Sequence, residues 1–265
     1  MAKLNIETKK PRFPVAPDLY GLFFEDINRA GDGGLYPEML RNRSFEDSIP
    51  PEDCTIEEND FAFTNRHGWR DIFNHGEGLT RWIRDNKTPF TPIPAWYVQS
   101  GASIALNYKD TLNKKRLVSL DVSFGAGFVY NDGYAGVAID AGKAYTFYMF
   151  AKNVKGSGEV SVSLEDAEGK VYDKKSFRLC ADGFVRYDAV FVTAEKKKDC
   201  RLVLRGDGAI RLGFISLMPA DTYNGHGLRT DIVEMYKGIN PRFLRFPGGC
   251  VVEGFTFQTM QYFRN

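Results

Sequence analysis

KAYTFYMFAKNV, residues 143–154, places Tyr145, Phe147 and Met149 on alternate positions, so all three share one face. A period of two is the mark of a strand with one side in a core and the other toward water. The same rhythm returns on both sides. In EVSVSLED, residues 159–166, Val160, Val162 and Leu164 share a face, and in AIRLGFISLM, residues 209–218, Ile210, Leu212 and Phe214 do. Turn sequences separate the runs, at Asn131-Asp132-Gly133, Asp140-Ala141-Gly142, Gly156-Ser157-Gly158 and Gly206-Asp207-Gly208. Short alternating strands at such intervals predict a mostly β fold, with residues 48–220 closing as a jelly-roll-like β-sandwich.

The flanks follow a different rule. In residues 1–47 an alternating segment, Lys3 to Thr8, precedes an apolar run, Leu19 to Phe24, which ends in Glu25 and Asp26. A glycine-rich loop, AGDGG, then leads into LYPEMLRNRSF, where Leu35, Met39 and Leu40 recur near helical spacing. This predicts strand, loop, helix. In residues 221–265, Thr230 is placed to cap a helix with Asp231 in its first turn. Ile232, Met235, Tyr236 and Ile239 form its apolar stripe, and Asn240-Pro241 ends it. FLRF, residues 243–246, then predicts a buried strand, followed by a PGG loop. Helix, strand and glycine loop is α/β-barrel grammar. The sandwich is therefore expected to interrupt an incomplete (β/α) barrel remnant built from both ends.

Composition narrows the classes of function. Of 265 residues 43% are hydrophobic, and 35 Lys and Arg balance 34 Asp and Glu. No basic stripe suggests nucleic acid, and the Lys196–Lys198 run predicts a solvated turn. No segment is apolar and long enough for a membrane span, and the first residues lack a signal-peptide pattern, so the expected location is cytoplasmic. The four cysteines match no metal motif; free thiols are expected, with a Cys180–Cys200 bridge as the alternative. His67, His75 and His226 lie far apart and suggest neither metal nor cofactor. Aromatic faces can stack on sugars. Trp69 is expected in the core, Trp82 lies in a polar stretch, and Trp96-Tyr97 opens a strand, so one of that pair should face outward. Trp82, Trp96 and Tyr97 are thus candidate sugar platforms.

Two blocks carry a specific resemblance: GLFFEDINRAGDGGLYPEMLRNRSFED, residues 21–47, and GLRTDIVEMYKGINPRFLRFPGGCVVEG, residues 227–254. A third, GFVYNDGYAGVAIDAGKAYTFYMFAKN, residues 127–153, is less specific. Together they resemble the N-terminal portion of glycoside hydrolase family 51 α-L-arabinofuranosidases, with a carbohydrate-binding-like sandwich inserted in the barrel. The resemblance implies that Glu25 contacts arabinofuranose in the minus-one subsite and that Arg245 lies by the same pocket. It implies a further sugar contact at position 250, where some members carry Asn and this chain has Cys250. The family is retaining, and its two catalytic Glu residues end the fourth and seventh barrel strands. Only two barrel strands are expected here, so no catalytic residue is assigned; Glu25 with Glu253 does not make a pair flanking one bond. The tail FTFQTMQYFRN departs from the family pattern. The expectation is a truncated arabinofuranosidase, inactive alone, whose partners are arabinoxylan, arabinan or a related polysaccharide, and which self-associates through the barrel remnant. The alternatives are a binding module for xylan, arabinoxylan or β-glucan, an endoglucanase-type member, or an enzyme completed in trans.

Overall fold

Tyr145, Phe147, Met149 and Ala151 all lie on the buried side of one long strand, as their alternation demands. The computed structural model describes residues 3–4, 9, 14–25, 29–48, 93–247 and 249, with the backbone alone of strands at 54–57, 60–64 and 70–72. In chain order the strands are β1 (Leu22–Phe23), β2 (Cys54–Glu57), β3 (Asp60–Thr64), β4 (Arg70–Ile72), β5 (Trp96–Gln99), β6 (Ser103–Asn107), β7 (Ser119–Ser123) and β8 (Phe128–Asn131). They continue with β9 (Val137–Ile139), β10 (Lys143–Lys155), β11 (Glu159–Glu165), β12 (Val171–Arg178), β13 (Val185–Thr193), β14 (Lys197–Gly206) and β15 (Ala209–Pro219). Helix α1 (Thr230–Ile239) and β16 (Leu244–Arg245) follow.

Two antiparallel sheets make the sandwich, ordered β13-β10-β15-β7-β6 and β12-β11-β14-β8-β5, with β9 also on β14. Their facing sides share one core that includes Phe147, Phe191, Leu164, Leu202, Leu212 and Trp96. Burying a side chain such as Phe147 contributes about 1.5–3 kcal/mol. Strands β2, β3 and β4 form a separate antiparallel sheet.

The structure departs from the sequence reading at four points. Ile210 and Leu212 face the core, but Phe214 does not share their side. Register against β10 jumps from Phe150↔Phe214 to Ala151↔Leu212, so Gly213 is an extra residue and Ile215 and Leu217 take over the buried positions. The helix expected in LYPEMLRNRSF is absent. Asn42 (φ 51°) and Phe45 (φ 67°) are left-handed, and the backbone is engaged by β15 instead: Met39 N donates to Leu217 O at 2.9 Å and Ile215 N to Arg43 O at 3.1 Å. Leu40 and Phe45 are fully buried in the sandwich core. Helix α1 forms, but Arg229 is its N-cap, with no side-chain cap bond, and Thr230 is its first helical residue. The helix stops at Asn240-Pro241 as expected, with Asn240 in the left-handed region that Asn tolerates at a helix C-terminus. Finally, FLRF yields only a two-residue strand, and Phe243, Leu244 and Phe246 are exposed rather than buried.

Cys180 and Cys200 are free thiols, the first exposed and the second buried. Lys196 precedes β14 and Lys197 and Lys198 begin it, with Lys196 and Lys198 exposed. No helix among the described residues is long and apolar enough to cross a membrane.

Candidate functional site

β1 and β16 pair in parallel, Leu22 opposite Leu244 and Phe23 opposite Arg245. Three backbone bonds hold them: Arg242 N to Tyr20 O (2.9 Å), Leu22 N to Phe243 O (2.9 Å) and Phe24 N to Arg245 O (3.0 Å). Parallel strands end on the same side, and in α/β barrels that C-terminal edge carries the site. Glu25 lies two residues beyond Phe23, and the PGG loop follows β16. A methyl built on Gly249 would sit 3.6 and 3.7 Å from the two Glu25 carboxylate oxygens, so loop and carboxylate are neighbours. Side chains alternate along a strand, which puts Phe23 and Arg245, paired in register, on one face. The Arg245 guanidinium rests over the Phe23 ring, 4.7 Å from its centroid. On the opposite pleat Phe24 stacks with Phe246, centroids 6.0 Å apart.

The fold thus brings Glu25 and Arg245, 220 positions apart in the chain, to one edge of a two-stranded sheet. A carboxylate accepts hydrogen bonds from hydroxyls, and a guanidinium donates them in a fixed fork, so the pair can grip a polyol ligand from two sides. Cys250, Trp82, Trp69, Asp26 and Glu253 lie outside the described residues.

Trp96 is corrected as a sugar platform. It is fully buried, packs on Phe45 with centroids 5.5 Å apart, and donates its indole N–H to Asn42 O at 3.1 Å. Its neighbour on the opposite pleat, Tyr97, faces outward, half-buried, stacked on Tyr130 at 5.0 Å. Tyr97 also hydrogen-bonds Asp132, and its phenol is pushed well above the usual range, first by burial and then by that carboxylate.

Sequence reasoning missed the clamp that joins the two parts. Glu38, 2% exposed, accepts from Ser216 Oγ (2.5 Å), Leu217 N (3.0 Å), Leu40 N (3.0 Å) and Met39 N (3.1 Å). Arg43 forks onto Asp32 at 2.8 and 3.0 Å and reaches Glu38 at 3.3 Å. A cleft of 790 Å³ beside this clamp runs between the sandwich and the start of α1, with Lys143 paired to Asp221 (2.6 Å) and Arg229 to Asp231 (2.5 Å) at its rim. A buried carboxylate ringed by backbone donors holds chain in place, and only Pro37 in front of it hinted at a break in the helix.

An extracellular exo-α-L-arabinofuranosidase of Streptomyces chartreusis is 32% identical over 237 residues, 88% of this chain and 24% of that protein. The chain is homologous to α-L-arabinofuranosidases. An α-L-arabinofuranosidase 2 of Arabidopsis thaliana is likewise 32% identical over 261 residues, 92% of this chain and 33% of its own length. The arabinofuranosidase fold also superposes: a solved, arabinose-bound glycoside hydrolase family 51 α-L-arabinofuranosidase matches 96% of this chain and 38% of that one, at TM-score 0.69 and 24% identity. The chain spans about a quarter to a third of the arabinofuranosidases it matches, which fits an N-terminal portion. No protein-family model matches it.

Proposed function

We propose that this chain is the N-terminal portion of a retaining α-L-arabinofuranosidase acting on arabinose side chains of hemicellulose, and that Glu25 and Arg245 hold the sugar at the strand ends. The observation that carries this is the parallel β1–β16 pair, which sets both side chains at the edge where barrel enzymes bind substrate. In this reading they position the furanose and do not break its bond. Retaining hydrolysis needs an acid/base and a nucleophile whose carboxyl groups lie about 5–5.5 Å apart. The resemblance puts those two Glu residues at the ends of the fourth and seventh barrel strands, and Glu25 fills neither role. The chain by itself therefore should not hydrolyse an aryl α-L-arabinofuranoside above the buffer rate. Turnover that survives stringent purification and disappears in Glu25→Gln would overturn this.

The same reading accounts for the exposed Phe23, Met235, Ile239, Phe243, Leu244 and Phe246, each more than half exposed. In a complete barrel further strands and helices would cover them. In this chain a second copy is the cover we infer, and light scattering should show a dimer at micromolar concentration. A monomer would refute that contact.

A further inference from the structure

Everything between the end of β1 and the start of α1 is one excursion of the chain, which leaves the strand after Phe23 and returns to the helix at Thr230. In a (β/α) barrel the connection from a strand's C-terminal end to the next helix builds the face that binds substrate. The sandwich is part of that connection, so it stands on the same face as Glu25 and the PGG loop. It does not hang there on a loose tether. The outgoing and returning segments are bonded to each other: Met39 N donates to Leu217 O, Ile215 N to Arg43 O, and Arg229 N to Leu35 O at 2.9 Å. A β-bridge also joins Thr222 to Arg229 across the returning segment. Sandwich and helix start are therefore held at a set spacing.

That spacing leaves the cleft of 790 Å³ described above, within the range of about 300–1,000 Å³ in which ligand sites fall. Met39, Ala138 and Pro219 give it an apolar lining, and none of the three is fully buried. Lys143 and Asp221 border it on the sandwich side, and Arg229 and Asp231 on the helix side, all four exposed.

The charges indicate what fits. Each carboxylate on the rim has a cation beside it: Asp221 has Lys143 (2.6 Å), Asp231 has Arg229 (2.5 Å) and Asp140 has Lys196 (2.7 Å). No field of one sign draws an ion. The cleft offers donor–acceptor pairs on two sides of an apolar strip. A sugar ring has the matching form, with C–H groups on its faces and hydroxyls round its edge. Hydroxyls can join these pairs without breaking them, because an ammonium has three donors and a carboxylate about four acceptor sites. We propose that this cleft holds the stretch of polysaccharide main chain that bears the arabinose, with Lys143, Asp221 and Arg229 determining which main chain is accepted. The proposal rests on the strand-end reading of Glu25 and Arg245 and adds the leaving-group side of the same site.

The test is NMR titration of the full chain with arabinose, and with a xylo-oligosaccharide carrying one α-L-arabinofuranosyl branch. The branched probe is expected to bind about tenfold tighter than arabinose, the gain from one charge-assisted hydrogen bond. Lys143→Ala should remove most of that gain. Ala138→Trp, which puts a large ring into the cleft from an exposed strand position, should remove all of it. Both variants should keep the parent's melting temperature and its arabinose affinity, whereas Glu25→Gln should weaken both probes. The cleft is refuted if the branched probe binds no tighter than arabinose, if both cleft variants bind it as the parent does, or if they weaken arabinose equally. Failure of the strand-end reading looks different: Glu25→Gln changes neither probe, while the branched probe still binds and Ala138→Trp still releases it. That result would discard the Glu25 contact and keep the cleft.

Discussion

Replacing Glu38 by Ala tests how the barrel remnant is anchored to the sandwich. The carboxylate is the acceptor for the Ser216 hydroxyl and for the N–H groups of Leu217 and Leu40. Met39 N–H would keep its bond to Leu217 O, and Arg43 its fork on Asp32. Glu38→Ala therefore strands two backbone donors and one hydroxyl in a buried setting. Each unmet buried donor costs about 1–3 kcal/mol, and the hydroxyl can turn toward another acceptor, so the loss should be about 3–5 kcal/mol. That is a large share of the roughly 5–15 kcal/mol that holds a domain together. Glu38→Gln should cost less, about 1–2 kcal/mol, because the amide oxygen still accepts while its NH₂ faces the Arg43 donors. Burial holds the Glu38 carboxyl above its ordinary range, so the folded state binds its proton more tightly than the unfolded state does. Stability from this group accordingly falls as pH rises from the ordinary Glu range toward the raised value, and Glu38→Gln should remove that slope. The assay is urea unfolding of the full chain by circular dichroism at several pH values, with Ser216→Ala closing a double-mutant cycle. A Glu38→Ala chain within 1 kcal/mol of the parent would show that the clamp does not anchor the segment.

Asp132, in the turn before Gly133, is pushed up to about 6, chiefly by burial and despite the Tyr97 hydrogen bond and the Arg41 charge. Its contribution to stability should fall as pH rises from about 4 to about 6; Asp132→Asn should flatten that window and gain about 1–3 kcal/mol at pH 7, and an unchanged pH profile would refute it. The Cys200 thiol is raised to about 11, first by burial, while Cys180 is exposed. Iodoacetamide at pH 8 should therefore modify Cys180 in the native protein and Cys200 only after unfolding, as mapped by mass spectrometry; equal labelling of both would contradict the burial of β14.

Strands β10, β11 and β15 were legible because alternation is a local property: Tyr145, Phe147 and Met149 declare a face wherever the strand goes. Helix α1 was legible for the same reason, through Ile232, Met235, Tyr236 and Ile239 and the Asn-Pro stop. The failures involve residues whose fate is decided by distant partners. LYPEMLRNRSF has helical spacing, yet β15 offers its backbone better bonds than a helix would, and Glu38 and Arg43 seal the choice. Trp96 and Tyr97 are adjacent, and which of them faces out depends on where β8 and Phe45 lie.

The amino-acid sequence alone determined a β-sandwich between two pieces of barrel grammar, and singled out Glu25 and Arg245 through two nearly unbroken blocks of resemblance. Period, turn residues and motif all act over a few positions, so they survive in a one-dimensional reading. Tertiary structure alone decided the bulge at Gly213, the burial of Glu38, the inward turn of Trp96 and the pairing of Phe23 with Arg245. Each of these is a property of register between segments distant in the chain, and a shift of one residue in register sends every side chain to the opposite face.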